Sequence, residues 1–228
     1  MTWSLARFKD AVVWAEAGPD GALAVSGGRV RIRYRDAEDA PVYRAGASRV
    51  VPLAAGRDGL GKAGERTAAQ VARARAEADD LLAGLPPGTW VVFTDGACLG
   101  NPGPSAAAAV LRGPGGERAE VARFLGEGTN QRAELAALRL GLTLLDDAGV
   151  PPEAPAVLCT DSRYAQGMAV HGWKIKANAE LVEPLRAALG GRPGASVRWI
   201  AGHAGVEGNE RVDALARDTA REGAGPPT

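Results

Sequence analysis

The chain has 228 residues, of which 46% are hydrophobic and 24% are charged, a composition typical of a soluble globular protein and not of a wholly disordered one. Its 27 basic residues balance its 27 acidic residues, so polyanion binding through bulk positive charge is excluded. No apolar run approaches the ~18 residues of a membrane span, and the amino terminus lacks the basic and apolar regions of a signal peptide. These features predict a cytoplasmic protein without membrane contact.

Residues 1–55 have the pattern of a small β-rich module, in which short apolar segments alternate with glycine- and proline-containing turns. One segment, "RVRIRYR" from Arg29 to Arg35, alternates arginine with apolar residues, so a strand there displays four arginines on one face. Such a row can follow a phosphate backbone, although charge alone favours a solvated outer face. The predicted strands lie at residues 12–14, 23–25, 30–34, 42–44 and 49–51.

A linker with one helix follows the module, over residues 56–88. Residues 54–62 are polar and rich in glycine, and apolar side chains at helical spacing then predict a helix over residues 65–84. The sequence "LPPG" ends this helix and marks a domain boundary. We therefore expect a second domain over residues 89–222 and a flexible tail over residues 223–228.

Strands and helices alternate in the second domain, in the order β-β-β-α-β-α-α-β-α. Thr129 and Asn130 cap the first of these helices. The order predicts an α/β fold, a mixed five-stranded sheet flanked by helices. The predicted strands lie at residues 90–96, 106–112, 118–125, 156–160 and 196–201, and the last helix passes through Val212, Leu215 and Ala216.

Pro184 conflicts with the helix that is predicted to end near Gly190. Proline removes a backbone hydrogen bond inside a helix, so we expect this helix to begin near Glu183 or to be kinked at the proline.

Four carboxylates occupy positions that the predicted sheet brings together. Asp95 lies in the first strand and Asp161 just past the fourth, and both follow apolar runs that end in threonine. Glu134 lies on the first turns of the long helix, and Asp213 lies in the last helix. Open α/β sheets form sites at the carboxyl ends of strands. Crowded carboxylates have raised pKa values unless a cation is present, so these oxygen ligands predict Mg²⁺ or Mn²⁺ rather than zinc.

Four stretches, in the order in which they occur, resemble ribonuclease H of type 1: "FTDGACLGNPGP", "TNQRAEL", "CTDSRYA" and "AGHAGVEGNERVDALA". The resemblance covers about residues 89–222 and implies a ribonuclease H-like fold. It implies a metal-dependent endonuclease, a monomer in the cytoplasm, that hydrolyses the RNA strand of RNA/DNA hybrids. The residues that match the metal-binding carboxylates and the loop histidine of the family are Asp95, Glu134, Asp161, Asp213 and His203.

The family hydrolyses phosphodiesters with two metal ions about 3.5–4 Å apart. By the resemblance, Asp95 bridges both ions, Asp213 helps to hold the ion that activates water, and Glu134 with Asp161 holds the ion nearer the leaving 3′-oxygen. The products carry 5′-phosphate and 3′-hydroxyl ends. His203 lies on a glycine-flanked loop, and histidine is a side chain that commonly transfers protons, so it is a candidate to shuttle a proton or to assist product release.

The resemblance also implies how the substrate is recognised. RNA differs from DNA by its 2′-hydroxyls, which short polar side chains read in the wide minor groove of an A-like duplex. Ala97 and Arg163 stand where other members often carry polar neutral residues. The implied minor-groove contacts are Asn101, Asn130 and Gln131, and Thr129 is the candidate phosphate contact.

One segment departs from some bacterial members of the family. Between Tyr164 and Trp173 the chain is short, whereas those members insert a basic, tryptophan-containing helix that grips the hybrid. Lys174 and Lys176 with Trp173 are left for that role, and fewer phosphate contacts weaken binding and its salt dependence. The amino-terminal module does not resemble the hybrid-binding module found ahead of some ribonucleases H.

Two alternatives stay open at this point. One is a non-catalytic hybrid-binding protein on the same fold, which the four clustered carboxylates argue against because binding alone does not need negative charge facing a polyanion. The other is a related enzyme that acts on double-stranded RNA or DNA junctions. Cys98, beside Asp95, has no evident base partner and is interpreted as a structural thiol, and both cysteines are expected to be reduced.

Overall fold

The computed structural model describes residues 2–8, 11–18, 22–34, 40–52 and 68–225. The chain divides into two compact units, Met1–Val71 and Ala72–Thr228. Within the described residues, no helix is both long and apolar enough to cross a bilayer.

The first unit is a small antiparallel sheet, and the predicted β-rich module is thereby confirmed. The strand order is β3-β4-β2-β1-β6, and β5 pairs with β4. Its buried core consists of small and β-branched side chains, among them Ala6, Val13 and Ile32. The strands are β1 (Thr2–Phe8), β2 (Ala11–Ala17), β3 (Val25–Ser26), β4 (Arg29–Arg33), β5 (Tyr43–Gly46) and β6 (Val50–Pro52), with a short 3₁₀ helix at Ala47–Arg49.

The second unit contains the predicted mixed five-stranded sheet. Its order is β11-β10-β7-β8-β9, in which β7, β10 and β11 are parallel and β7, β8 and β9 are antiparallel. The strands are β7 (Trp90–Cys98), β8 (Gly103–Arg112), β9 (Arg118–Gly128), β10 (Ala156–Thr160) and β11 (Ala195–Trp199). The helices are α1 (Ala68–Ala83), α2 (Asn130–Asp147), α3 (Arg163–Val170), α4 (Ala179–Gly190) and α5 (Glu207–Ala224).

The packing of α1 and the end of α5 bear on the predicted domain limits. Ala74 and Ala78 of α1 are buried in the same apolar cluster as Phe93 of β7, so this helix packs within the second unit. Helix α5 continues to Ala224, two residues into the segment expected to be a tail. Residues 65–67, where the helix was expected to begin, lie outside the described residues. The limits of the module, linker and catalytic domain stay predictions.

Helix α4 corrects the expectation at Pro184. The helix begins at Ala179, not near Glu183, and the proline lies inside it. Val182 and Leu185 are fully buried on either side of the proline, so the tertiary packing of this face outweighs one missing backbone hydrogen bond.

Apolar layers cover both faces of the five-stranded sheet. One layer packs Leu135, Leu138 and Leu142 of α2 against the sheet, and the other packs Val212 and Ala216 of α5 against it. A sheet enclosed in this way is a rigid support for residues at its edge.

Gly96 allows α2 to approach β7 with no side chain between their backbones. A Cβ added at Gly96 would lie 2.3 Å from the Ala133 carbonyl carbon and 2.3 Å from the Glu134 nitrogen. This contact places the first turns of α2, which carry Glu134, directly beside the strand that carries Asp95.

We predict that Gly96→Ala destabilises the second unit, because backbone atoms of α2 have to move to admit the methyl group. Overpacking of this kind costs roughly 1–3 kcal/mol of unfolding free energy, or about 2–4 °C of melting temperature per kcal/mol. Thermal unfolding of Gly190→Ala is the matched control, since no heavy atom lies within 4 Å of a Cβ added there. Equal melting temperatures for the two variants would contradict the prediction.

Candidate active site

Three of the predicted carboxylates meet at one edge of the sheet. One oxygen from each of Asp95, Glu134 and Asp161 lies within 4.8 Å of the others. Parallel pairing of β7 with β10 ends at Phe93 and Cys159, so Asp95 lies beyond the paired segment and faces the residues that follow β10. The sequence-based expectation that Asp95 and Asp161 share an edge is thus met.

Asp213 approaches the cluster from α5. It lines the same cleft of about 300 Å³ as Asp95, Glu134 and Asp161. Its carboxylate contributes to the raised pKa of Asp95, which shows that the two charges are close enough to interact. Arg217, one turn further along α5, forms an ion pair with Asp213.

Burial and mutual repulsion raise the pKa values of the central carboxylates. Burial, followed by the charges of Asp161 and Asp213, raises the pKa of Asp95 from 3.8 to about 8. Burial, followed by Asp95 and Asp161, raises the pKa of Glu134 well above its ordinary value. The Gly96 N–H lowers both values, but not enough to offset the burial and the repulsion.

The chemistry of the cluster fits divalent cations. Glu134 is 7% exposed, and its Oε2 atom has no hydrogen-bond partner among the described residues. A buried carboxylate oxygen without a partner is costly, and a bound cation removes that cost. The donor atoms of Asp95, Glu134, Asp161 and Asp213 are all oxygens, the ligands that Mg²⁺ and Mn²⁺ prefer.

Asp161 is held by contacts that sequence reasoning missed. The indole Nε1 of Trp199 donates to the Asp161 carbonyl oxygen at 2.8 Å, and the Arg163 guanidinium carbon lies 3.6 Å from the Trp199 ring centroid. Gly202 lies so close that an added Cβ would be 2.0 Å from the Asp161 Oδ2 atom. A tryptophan ending an apolar strand gives no sequence signal that separates this role from core packing.

His203 lies at the rim of the same cleft. Its side chain is 70% exposed, and its Nδ1 atom is 3.9 Å from the Asp213 Oδ2 atom. Its backbone is left-handed, with φ of 50°, which is uncommon for a residue other than glycine. Glu210, which sequence reasoning also missed, accepts a hydrogen bond from the Gly205 N–H at 3.1 Å and so ties this loop to α5.

The predicted substrate contacts lie beside the carboxylates. Asn101 Oδ1 accepts a hydrogen bond from the Asn130 N–H at 3.2 Å, and the Asn130 amide donates to Glu134 Oε1 at 3.3 Å. The Thr129 hydroxyl caps α2 by accepting a hydrogen bond from the Arg132 N–H. Gln131 is exposed on the first turn of α2. The loop after β7 and the start of α2 therefore form one polar surface.

Cys98 packs against the start of β8 and the end of β9, which border this surface. Its Sγ atom lies 3.4 Å from the Gly128 oxygen and 3.6 Å from the Gly103 oxygen. Burial raises the pKa of this thiol, which disfavours the reactive thiolate. The interpretation of Cys98 as a structural thiol fits these contacts.

We predict that Asp95→Asn stabilises the metal-free protein, and more so at pH 8 than at pH 5. The pKa of Asp95 is higher in the folded state, so the folded state binds more protons and stability falls as the pH rises from about 4 to about 8. Each pH unit in that window costs at most roughly 1.4 kcal/mol. Asparagine removes the titration and part of the repulsion.

Melting temperatures measured in EDTA at both pH values test this prediction. Asp79→Asn is the control, because Asp79 is an exposed residue of α1 in an ion pair with Arg75. If Asp95→Asn melts below the wild type at pH 8, the repulsion does not exist as described.

Comparisons with known proteins agree with this fold. The family model described as RNase H matches residues 87–221. A ribonuclease H of Xanthomonas campestris pv. campestris is 41% identical over 142 residues, which are 57% of this chain and 90% of that protein. A ribonuclease H of Escherichia coli O139:H28 is 39% identical over 142 residues, again 57% of this chain and 87% of that protein.

A solved structure shares the architecture of the second unit. It is the amino-terminal RNase H domain of rv2228c from Mycobacterium tuberculosis, solved as a fusion with maltose-binding protein, at 26% identity and a TM-score of 0.53. The similarity covers 60% of this chain and 96% of that one. Together with the carboxylate cluster, the matched residues establish that the chain belongs to the RNase H family and is a ribonuclease H enzyme.

Proposed function

We propose that the chain is an endonuclease that hydrolyses the RNA strand of an RNA/DNA hybrid by a two-metal mechanism and leaves 5′-phosphate and 3′-hydroxyl ends. The observation that carries this proposal is the cluster of Asp95, Glu134 and Asp161, with Asp213 lining the same cleft. Two Mg²⁺ ions are the proposed cofactors, with Mn²⁺ as the alternative. A cytoplasmic location and a monomeric state are part of the same proposal.

Asp95 is the residue suited to serve both ions. The charges of Asp161 and Asp213 both act on it, and all three carboxylates line the same cleft. Glu134 and Asp161 would hold one ion with Asp95, and Asp213 would hold the other. When bound, such a pair stabilises the charge on the attacking and leaving oxygens of an in-line displacement.

Neighbouring side chains must also favour the ionised forms of the carboxylates, because those forms bind cations. Arg217 lowers the pKa of Asp95, and the Asn130 side chain lowers that of Glu134, so both favour the ionised forms that bind cations. The backbone of β7 and the Gly96 contact fix the positions of these carboxylates before any ligand arrives. A site held in this way loses little conformational entropy when it binds its ligands.

His203 is the proposed proton carrier. Its imidazole is exposed at the cleft rim near Asp213, and an ordinary imidazole titrates near neutral pH. It is therefore placed to take a proton from the water side of the site and to pass it to solvent. Its exposure also suits a role in product release.

Substrate selection is assigned to the polar surface next to Glu134. Asn101 and Asn130 form a hydrogen-bonded pair that ends at Glu134, and this contact with a carboxylate of the cluster supports assigning them to the ribose near the cleaved bond. Amides both donate and accept, as a 2′-hydroxyl requires. Trp173, which is 48% exposed, and the exposed Lys174 and Lys176 are the proposed remainder of a grip on the duplex.

A related enzyme that acts on double-stranded RNA or on DNA junctions is the competing hypothesis. A substrate panel of hybrid, duplex RNA, duplex DNA and a four-way junction distinguishes the two. Preference for the hybrid is the result that the proposal expects.

We predict that Asp95→Asn lowers the rate of hybrid cleavage in Mg²⁺ by at least about a thousandfold, because a central charged ligand is lost. Cleavage of a 5′-labelled hybrid on a denaturing gel measures it and also reports the end chemistry. Asp147→Asn, an exposed carboxylate at the end of α2, is the control and should cleave like the wild type. Equal activity of Asp95→Asn and the wild type would refute the proposed function.

We predict that His203→Ala lowers kcat by roughly 10- to 100-fold and leaves KM within a factor of about two, since a proton carrier assists turnover rather than binding. The pH–rate profile of the variant should differ in shape from that of the wild type. His171→Ala, which changes an exposed histidine after α3, is the matched control. An unchanged kcat in His203→Ala would remove the histidine from the mechanism.

A further inference from the structure

One face of the sheet in the first unit is strongly basic. The strand register puts side chains from four strands on this face, which we name the arginine face. Glu16 is the single carboxylate that the described residues place on it. The arginines on the face are Arg7 of β1, Arg29, Arg31 and Arg33 of β4, and Arg44 of β5.

Two of these arginines are held by contacts within the sheet. Arg33 is only 8% exposed, and its guanidinium carbon lies 4.4 Å from the Trp3 ring centroid. Arg31 forms an ion pair with Glu16 at 3.1 Å and also lies over Trp3. Arg29, Arg31 and Arg33 share one face as expected, but Arg33 is buried there rather than displayed, and Arg35 lies outside the described residues.

The other three arginines project without an acidic partner. Arg7, Arg29 and Arg44 are exposed, and none of them has a carboxylate within 4.0 Å in the described part of the chain. Arg44 of β5 stands directly opposite Arg31 of β4. Arg29 lies two residues before Arg31 in β4, about 7 Å from it. Like charges directly opposite each other destabilise a sheet, and among the described residues Glu16 offsets the charge of Arg31 but forms no ion pair with Arg44.

We propose that the arginine face binds the sugar-phosphate backbone of the RNA/DNA hybrid, without reading its base sequence. The whole chain has no net charge, so a face on which the described residues place five arginines and one carboxylate is a local concentration of positive charge. Guanidinium groups pair with phosphates in two-pronged geometry, and a row of them on a flat sheet matches a row of phosphates.

The catalytic unit makes such a surface useful. Its own cleft is lined by carboxylates that repel a polyanion, and the segment after α3 offers only two lysines, Lys174 and Lys176. A second anchoring surface on the same chain raises the effective concentration of substrate at the cleft. The choice of a hybrid as the ligand rests on the proposed function, whereas the phosphate recognition does not.

The experiment compares the full chain with its triple variant Arg7→Ala, Arg29→Ala and Arg44→Ala. Binding of a fluorescently labelled hybrid is measured by anisotropy in EDTA over a range of salt concentrations. We expect the Kd near 0.1 M salt to rise about tenfold or more. The slope of log Kd against log salt should fall by about 2–3, because each lost phosphate contact removes roughly 0.9.

Two matched variants separate this effect from charge loss and from misfolding. Arg73→Ala, Arg139→Ala and Arg221→Ala remove the same charge from α1, α2 and α5, and should bind like the wild type. Arg7→Lys, Arg29→Lys and Arg44→Lys keep the charge and should keep most of the slope. Equal Kd and slope for the alanine variant and the wild type would overturn the proposal. A loss of affinity for single-stranded RNA without a loss of affinity for the hybrid would overturn it as well.

Cleavage assays keep this inference separate from the proposed function. At saturating hybrid, the alanine variant should retain the wild-type kcat and raise only KM. If the wild type binds hybrid through the arginine face but does not cleave it, the proposed function fails and this inference stands. If the wild type cleaves the hybrid and the alanine variant has the same KM, this inference fails and the function stands.

Discussion

The repulsion among buried carboxylates is the constraint on which the rest of the second unit depends. Asp95 and Glu134 are both less than a tenth exposed and share a small volume with Asp161. Like charges at such distances in a region shielded from water are unfavourable, so the fold has to hold them there by stabilisation from elsewhere. A bound cation relieves this repulsion, so the site favours cation binding.

The stabilisation comes from the apolar layers on both faces of the sheet. Leucines of α2 pack on one face, and α5 packs on the other, so neither helix can withdraw its carboxylate without exposing apolar surface. The close backbone contact at Gly96 and the close approach of Gly202 to the Asp161 carboxylate then set the distances within the cluster. Core packing and cation binding are in this sense two parts of one arrangement.

Much of this arrangement was predictable from the sequence, because it follows from periodicity and chain order. Apolar runs fixed the five strands, and the side chain of Thr129 marked the start of α2 at Asn130. Asp95 and Asp161 share an edge because both come just after the segments over which β7 and β10 pair in parallel. These features depend on residues that are near one another in the chain.

The features that sequence reasoning missed depend on contacts between distant residues. Helix α4 begins five residues before Pro184 because Val182 is buried in the core. Arg33 is buried because Trp3, from another strand, covers it. Trp199 supports Asp161 through a hydrogen bond across 38 positions, which no local pattern encodes.

Calorimetric titration of Mg²⁺ into the protein at pH 7, in buffers of different ionisation enthalpy, tests the central claim most directly. Because the pKa of Asp95 in the metal-free site is about 8, a cation that binds there must displace a proton. We expect a binding heat that changes with the buffer and corresponds to release of about one proton. Mg²⁺ binding with a heat that is the same in every buffer would contradict it.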